Sequence, residues 1–511
     1  MWLTSCIPLA LALETELRLD GVLPEGGPDH VRVAFEVPEG TREIEVRHDD
    51  LSAANILDWG LDGPDGPRGW GGGNVEPAIV GERAASRSYR AGPIPAGTWS
   101  VVIGRAKVVE TPARYAVTVV LRDTPTLSPQ QERAAYAPAG ALETGARWYA
   151  GDLHVHSRES GDADPTLDAV ATAAEGRGLD FVVLSDHNTT STHDLLVDAQ
   201  ARAGVLLVPG MEYTTYEGHA GILGATPWLD HRTDRTGEVP VADALAQAHA
   251  AGAVVTVNHP NLDLGELCTG CAWELPVDPA SVDAVEIVTG GYAPVGRLFL
   301  EQNLALWEAW LDQGARVAPV GGSDDHAGGT GSGPTYSPLG SPTTRVWARE
   351  LSVDAIQEGL RAGRTVVQLQ GPGDPFVELW PDIARDASEV PDTATWTATV
   401  RGGAETPARG GTLVWVLDGA ELARVEVTSD PFTDRRRVDV GGGDHRVRVQ
   451  LLVEDAPRVV TGHFWLEDVA VDAAPETCAG CAAARPPGEA TALALGVMTA
   501  LAAVRRRLRP A

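Results

Sequence analysis

Nine of the thirteen histidines lie between His154 and His326, and they fall in a pattern. Asp152-Leu153-His154-Val155-His156 closes an apolar run; successive strand side chains point to opposite faces, so His154 and His156 share a face with Asp152. Further apolar runs end in Ser185-Asp186-His187-Asn188, in Pro209-Gly210-Met211-Glu212, in Asn258-His259-Pro260 and in Gly321-Gly322-Ser323-Asp324-Asp325-His326. Imidazole and carboxylate ligands without thiolate suit Zn²⁺, Mn²⁺ or Fe²⁺, and more than four ligands imply more than one ion. Two or three such divalent ions side by side would lower the pKa of a bridging water toward neutrality and clamp an anionic transition state, which is the chemistry of hydrolysis.

Ligands so far apart in sequence need a scaffold that brings strand ends together. Apolar runs at Tyr149 to Val155, Phe181 to Leu184, Val205 to Val208, Gly221 to Leu223, Val254 to Val257, Ala284 to Val288 and Val317 to Val320 alternate with helical stretches at Thr166 to Glu175, Val241 to Ala250 and Leu298 to Gln313. That alternation predicts an α/β fold with a parallel barrel over residues 147–370, whose strand ends face one mouth. On either side the rhythm changes to period two with Gly/Pro turns, as in Val31 to Val37 and His445 to Val453, which predicts all-β sandwiches over 15–123 and 371–472, with a linker at 124–146.

Composition removes competing chemistries. Forty basic against 71 acidic residues leave a net charge of −31, a field that repels phosphate backbones and excludes nucleic acid as a partner. Lysine occurs once, at Lys107, so no phosphate-binding GxxxxGK[ST] loop exists and Schiff-base chemistry would depend on that one residue. Residues 1–14 hold a short apolar run with Ala10-Leu11-Ala12 as a candidate cleavage site, and Cys478 to Cys481, an apolar stretch from Ala490 to Val504 and an arginine-rich end close the chain. Both ends predict an exported, surface-associated or secreted protein whose tail, 473–511, engages the membrane and sorting machinery. That tail resembles C-terminal sorting signals of the myxobacterial (MYXO-CTERM) type. Cys268-Thr269-Gly270-Cys271 is spaced for a small local disulfide; a zinc site there would need two more ligands, which the sequence does not place nearby.

Taken in order, D-L-H-V-H, L-S-D-H-N, P-G-M-E, G-H, N-H-P and G-S-D-D-H resemble the motifs of the polymerase and histidinol phosphatase (PHP) superfamily of metallohydrolases, over about Tyr149 to Gln370. The N-terminal segments Asp58 to Leu61 and Arg68 to Gly73 are similar to its carbaryl-hydrolase-like (CehA/McbA) branch. The resemblance implies a distorted seven-stranded (β/α) barrel, flanked by the two sandwiches, with two or three metals. It implies His154, His156 and Asp324 at a first ion, Glu212 bridging to a second ion with His219 and His259, and His187 and His326 at a third, where Asp162 stands in place of a histidine found in several relatives. Glu212, Asp324 and His326 would then flank the reacting bond. His219, placed ahead of a strand instead of at a strand end, rests more on this resemblance than on spacing. Asp186 reads as an orienting partner or a helix cap, and Asp152 and Glu286 as partners that orient ligands. Arg158 is either a clamp for an anionic substrate group or a surface ion pair. His193, His231 and His249 lack strand-end positions and read as surface residues. The expected activity is hydrolysis of a small-molecule phosphoester, with a carbamate or carboxylic ester as the alternative and a non-catalytic, metal-stapled surface binding protein as the competing class.

Overall fold

The computed structural model describes residues 14–232, 241–265, 268–290, 297–331, 336–382, 393–439 and 445–465. The leader and sorting tail expected from the sequence lie outside these residues. Among the described residues no helix is long and apolar enough to cross a membrane.

Residues up to Arg122 form two sheets. One joins Glu14–Arg18, Ala113–Arg122, Glu43–Asp49 and Ala78–Gly81; the other joins His30–Val37, Gly97–Lys107, Ile56–Gly63 and Gly66–Gly72. Alternating side chains put Ile44, Trp59, Trp99, Ile103 and Val117 between them, all buried.

The central strands do not close into one parallel barrel. Leu206–Val208, Phe181–Leu184 and Glu143–Val155 run parallel and continue antiparallel through Thr343–Leu351 and Thr365–Gln368. A second, five-stranded sheet runs Gly210–Thr215, Gly218–Leu223, Val254–Val257, Ala284–Thr289, Ala318–Gly322. The two sheets are joined by single bridges, Val155 to Asp325 and His187 to Glu212, and by hydrogen bonds such as Thr344 Oγ1 to the Gly321 carbonyl oxygen. Pro209 explains the division: lacking an N–H, it cannot extend the ladder from Val208, and the chain turns into a hairpin instead. Gly210 follows because a Cβ there would lie 2.7 Å from the Leu184 carbonyl oxygen. The expected seven-stranded (β/α) barrel is not shown: the central strands form two bridged sheets, both with antiparallel members.

Helices cover the outside at Leu167–Gly176, where Thr166 accepts from the Ala169 N–H as N-cap, at Val241–Ala250 and at Arg297–Asp312. His193–Gln200 and Val353–Arg361 are helical without having been expected; at two turns each their periodicity is too brief to stand out.

The region expected as a second sandwich does pack two sheets over one core, but one of those sheets is continuous with the central sheet. Ala456–Thr461 pairs with Thr365–Gln368, so Arg446–Val453, Thr412–Leu417 and Ala420–Glu426 extend the central sheet to ten strands. A three-stranded sheet, Phe376–Asp382, Thr393–Arg401 and Phe432–Asp439, covers that extension. Its core holds Trp396, Trp415 and Val449 together with Trp148 and Val366 of the central region.

Candidate metal centre

All nine expected ligands converge where the two sheets meet. His154, His156 and Glu212; His154, His259 and Asp324; His156, Asp162, His187 and His326; and His219, His259 and Cys271 form four overlapping groups, the ligand atoms within each lying within 4.8 Å of one another. His154 and His156 end the strand Glu143–Val155 and its continuation. His187 and Glu212 face each other across the second bridge between the sheets. His219, expected ahead of a strand, lies inside Gly218–Leu223, opposite Thr214. His259 and Asp324 have φ of 30° and 57°, a left-handed backbone that costs about 1–3 kcal/mol each and that surrounding structure must enforce.

The imidazoles are oriented in a consistent way. His154 Nδ1 faces Glu286 Oε1 at 3.0 Å, His156 Nδ1 faces Ser160 Oγ at 3.0 Å, His187 Nδ1 faces Thr214 Oγ1 at 2.7 Å, and His259 and His326 Nδ1 face the carbonyl oxygens of Cys271 and Asp324 at 2.9 Å. Their Nε2 atoms turn inward. His154 Nε2 lies 3.1 Å from His156 Nε2, 3.2 Å from Glu212 Oε1 and 3.3 Å from Asp324 Oδ1. Asp162 Oδ2 is 3.3 Å from His187 Nε2 and 3.4 Å from His326 Nε2.

Electrostatics keeps the acids ionised. Burial favours the neutral form of Glu212, but His154, His219 and His187 outweigh it and hold the carboxyl well below its usual range. Asp324 is held down in the same way, against desolvation, by His154 and His156; Asp162, its side chain about half exposed, is held down against partial desolvation by His187 and His326. Burial opposes charge on His154 and His187, yet their carboxylate neighbours raise both well above the ordinary value. His156 is pushed down to about 3 by burial and by repulsion from His326 and His187.

These residues fit divalent ions. Both ring nitrogens of His219 are buried with no hydrogen-bond partner, and the buried Glu212 Oε2 faces only imidazole nitrogens, His187 Nδ1 at 2.9 Å and His156 Nε2 at 3.7 Å. In a folded interior such orphaned atoms are rare and call for a partner. Ionised carboxylates and inward imidazole nitrogens, all but those of His219 held from the other side, form the donor set a multinuclear site requires.

Around the ligands, Glu286 binds His154, the His259 N–H and the Thr289 hydroxyl, as its strand-lining position suggested. Asp152 accepts from the backbone of His154, Ser323 and Gly340, and burial pushes it up to about 6. Asp186 accepts from Ser157 and Thr192 and is pushed up to about 7 by burial. Sequence reasoning missed Asn258, whose amide donates to Glu212 Oε1 at 2.9 Å, and Ser160; only the position of Asn258 next to a ligand hinted at it.

Other expectations are corrected. His193 is buried and bonds the Gly210 carbonyl, and His231 is buried against Trp70 and Trp228; only His249, beside Asp283 at 2.9 Å, is partly open. Arg158 is exposed in a neighbouring cleft with Arg133 and Arg202, not beside the ligands. The cysteines Cys268 and Cys271 do form a disulfide.

The cluster opens into a cavity of about 600 Å³ with Asp162 and His187 on one wall. The opposite wall comes from the N-terminal sandwich: His30, Ile56, Asp58, Trp70 and Arg87. Tyr216 Oη donates to Asp58 Oδ2 at 2.8 Å, and burial pushes Asp58 up to about 6. Arg87 is already engaged, with Ala163 O at 3.0 Å and Glu76 at 3.2 Å.

No protein-family model matches the chain, and no curated protein does. Solved structures resembling it include a two-domain protein from Bacteroides vulgatus containing a predicted PHP-like metal-dependent phosphoesterase, 17% identical over 66% of this chain and 99% of that one, with a TM-score of 0.37. A protein from Bifidobacterium adolescentis, described as a metal-dependent phosphoesterase, is 18% identical over 40% of this chain and 94% of its own, with a TM-score of 0.26. An amidohydrolase from Chromobacterium violaceum is 19% identical over 37% of this chain and 93% of its own, with a TM-score of 0.25. The functional reading rests on the side chains rather than on these likenesses.

Proposed function

We propose that the protein is a metal-dependent hydrolase of a small-molecule phosphoester. The observation that carries this reading is the inward set of imidazole nitrogens, most of them oriented from behind, around the buried Glu212 and the half-buried Asp324, both ionised. His154, His156 and Asp324 would hold one ion, Glu212, His219 and His259 a second, and His187, His326 and Asp162 a third. Bound there, divalent ions supply Lewis acidity and a water of lowered pKa. The chain's own part is positional: Glu286, Ser160 and Asn258 fix the ligands, while the sandwich forms one wall of the cavity. Structural metal sites are usually closed by four protein ligands, so nine around an open cavity favour catalysis over a stapling role.

A second reading, carbamate or carboxylic ester cleavage, draws support from the cavity wall. Ile56, Trp70 and Tyr216 are largely apolar and Arg87, the one arginine among the described residues lining it, is already bonded, whereas a phosphoryl group gains most from free donors. Metal analysis followed by initial rates on p-nitrophenyl phosphate, bis-p-nitrophenyl phosphate and 1-naphthyl methylcarbamate separates the readings. Unchanged turnover in both His154→Ala and Glu212→Ala would remove hydrolysis at this centre. Export, proposed from the chain ends, is tested by locating the protein in cell fractions.

A further inference from the structure

The Cys268–Cys271 disulfide lies against the ligands proposed for the second ion. Cys271 is buried, and its Sγ falls within 4.8 Å of ligand nitrogens of His219 and His259. Its carbonyl oxygen is the group that orients His259, at 2.9 Å from Nδ1. The loop also sits on the hairpin that carries Glu212 and His219, for a Cβ added to Gly270 would lie 2.4 Å from the Thr215 carbonyl oxygen. Neither nitrogen of His219 has a hydrogen-bond partner, although the side chain is buried and its nearest acid, Glu212, stands 3.5 Å away. The two ligands that a zinc site at Cys271 would need are therefore supplied by tertiary structure.

We propose that Cys271 is a latent metal ligand: held back while bonded to Cys268, and delivered to the ion of His219 and His259 when a dithiol reductant opens the disulfide. This rests on the metal-centre reading and adds to it a two-histidine, one-thiolate site suited to thiophilic ions such as zinc. The exchange balances as follows. A thiolate of the reductant attacks Sγ of Cys268, the more open of the pair, and the S–S electron pair departs on Cys271 as thiolate. The second thiol of the reductant then displaces Cys268 as a thiol and closes its own disulfide, so two electrons pass from the dithiol to the protein. Freed from Cys268, the Cys271 side chain can rotate about Cα–Cβ toward the histidines.

Cobalt(II) added to the full chain reports ligand type directly. The oxidised protein is expected to show d–d absorption without a thiolate-to-cobalt charge-transfer band. Reduction by a phosphine that is then removed should produce that band with one thiolate per ion, and Cys268→Ser should show it untreated. Reduced Cys271→Ser should lack it. Zinc affinity of the wild type should rise by at least about tenfold on reduction. Cobalt binding in the oxidised chain with no new band on reduction, in wild type and Cys268→Ser alike, overturns the latent ligand and leaves the metal centre standing. A band of equal strength in reduced Cys271→Ser overturns it too, by assigning the thiolate elsewhere. Absence of cobalt binding in either redox state removes both readings.

Discussion

Glu212 draws its chemistry from being surrounded: His154, His187, His219 and His259 approach one carboxylate that has no contact with water. Groups behind the ligands matter nearly as much. Glu286→Gln keeps the shape while weakening the grip on His154, and should cost roughly 10–100-fold in metal affinity with the melting temperature little changed, measured by titration of the metal-free protein. His193 offers a test away from the centre. Burial lowers it to about 4, against the opposing Gly210 carbonyl. The folded value is below the unfolded one, so the contribution is fully present above about pH 6.5 and is lost as pH falls toward 4, to the extent of about 3 kcal/mol. Thermal melts from pH 7 to 4.5 should show wild type losing its margin over His193→Gln, which has no such group to titrate. That two of the histidines read as surface residues are buried follows from the same limit: burial depends on which other segment covers a position, and the local pattern around His193 and His231 does not contain it.

At the scale of elements, the centre depends on how closely strand ends approach. A Cβ on Gly322 would stand 2.3 Å from His154 Cβ and 2.7 Å from Glu286 Oε1. Gly322→Ala should therefore displace His154 and lower bound metal measured by elemental analysis, with far-ultraviolet circular dichroism unchanged. Gly176→Ala, at a helix end where an added Cβ meets nothing within 4 Å, is the matched control and should leave metal content intact. The strand ends themselves were legible because apolar runs terminating in His, Asp or Glu are a local signal. The hairpin after Pro209 was not, since Gly210–Thr215 and Gly218–Leu223 read as a strand end and a later, shorter strand until their pairing is known.

For the whole molecule, sheet continuity predicts cooperativity. The described residues all belong to one compact unit, and the central sheet runs unbroken into the C-terminal strands. Trp396, wholly buried in the shared core, is far in sequence from every ligand. Trp396→Ala should cost about 3–5 kcal/mol and, in calorimetry, shift the melting of the central and C-terminal strands together instead of splitting off a separate transition. The N-terminal sandwich is fastened by Arg232 to Asp62 at 2.6 Å, Tyr216 to Asp58 at 2.8 Å and the Ser88 hydroxyl to the Glu159 carbonyl oxygen at 2.7 Å. It thereby becomes one wall of the cavity, a role no composition shift at residue 123 announces.

Residue type and spacing along the chain were enough to pick out the strand-end candidates His154, His156, His187, Glu212, His259, Asp324 and His326, the strands that precede them and the sandwich-like flanks, because each is written in a window of a few residues, whereas His219 and Asp162 came from the resemblance of the whole motif series. The split into two sheets, the joining of the C-terminal strands to the central sheet, the sandwich wall over the cavity and the meeting of Cys271 with His219 and His259 were set by tertiary structure alone. Each depends on contacts between segments tens to hundreds of residues apart, and such contacts are selected by packing and hydrogen-bond pairing, not by any local preference of the chain.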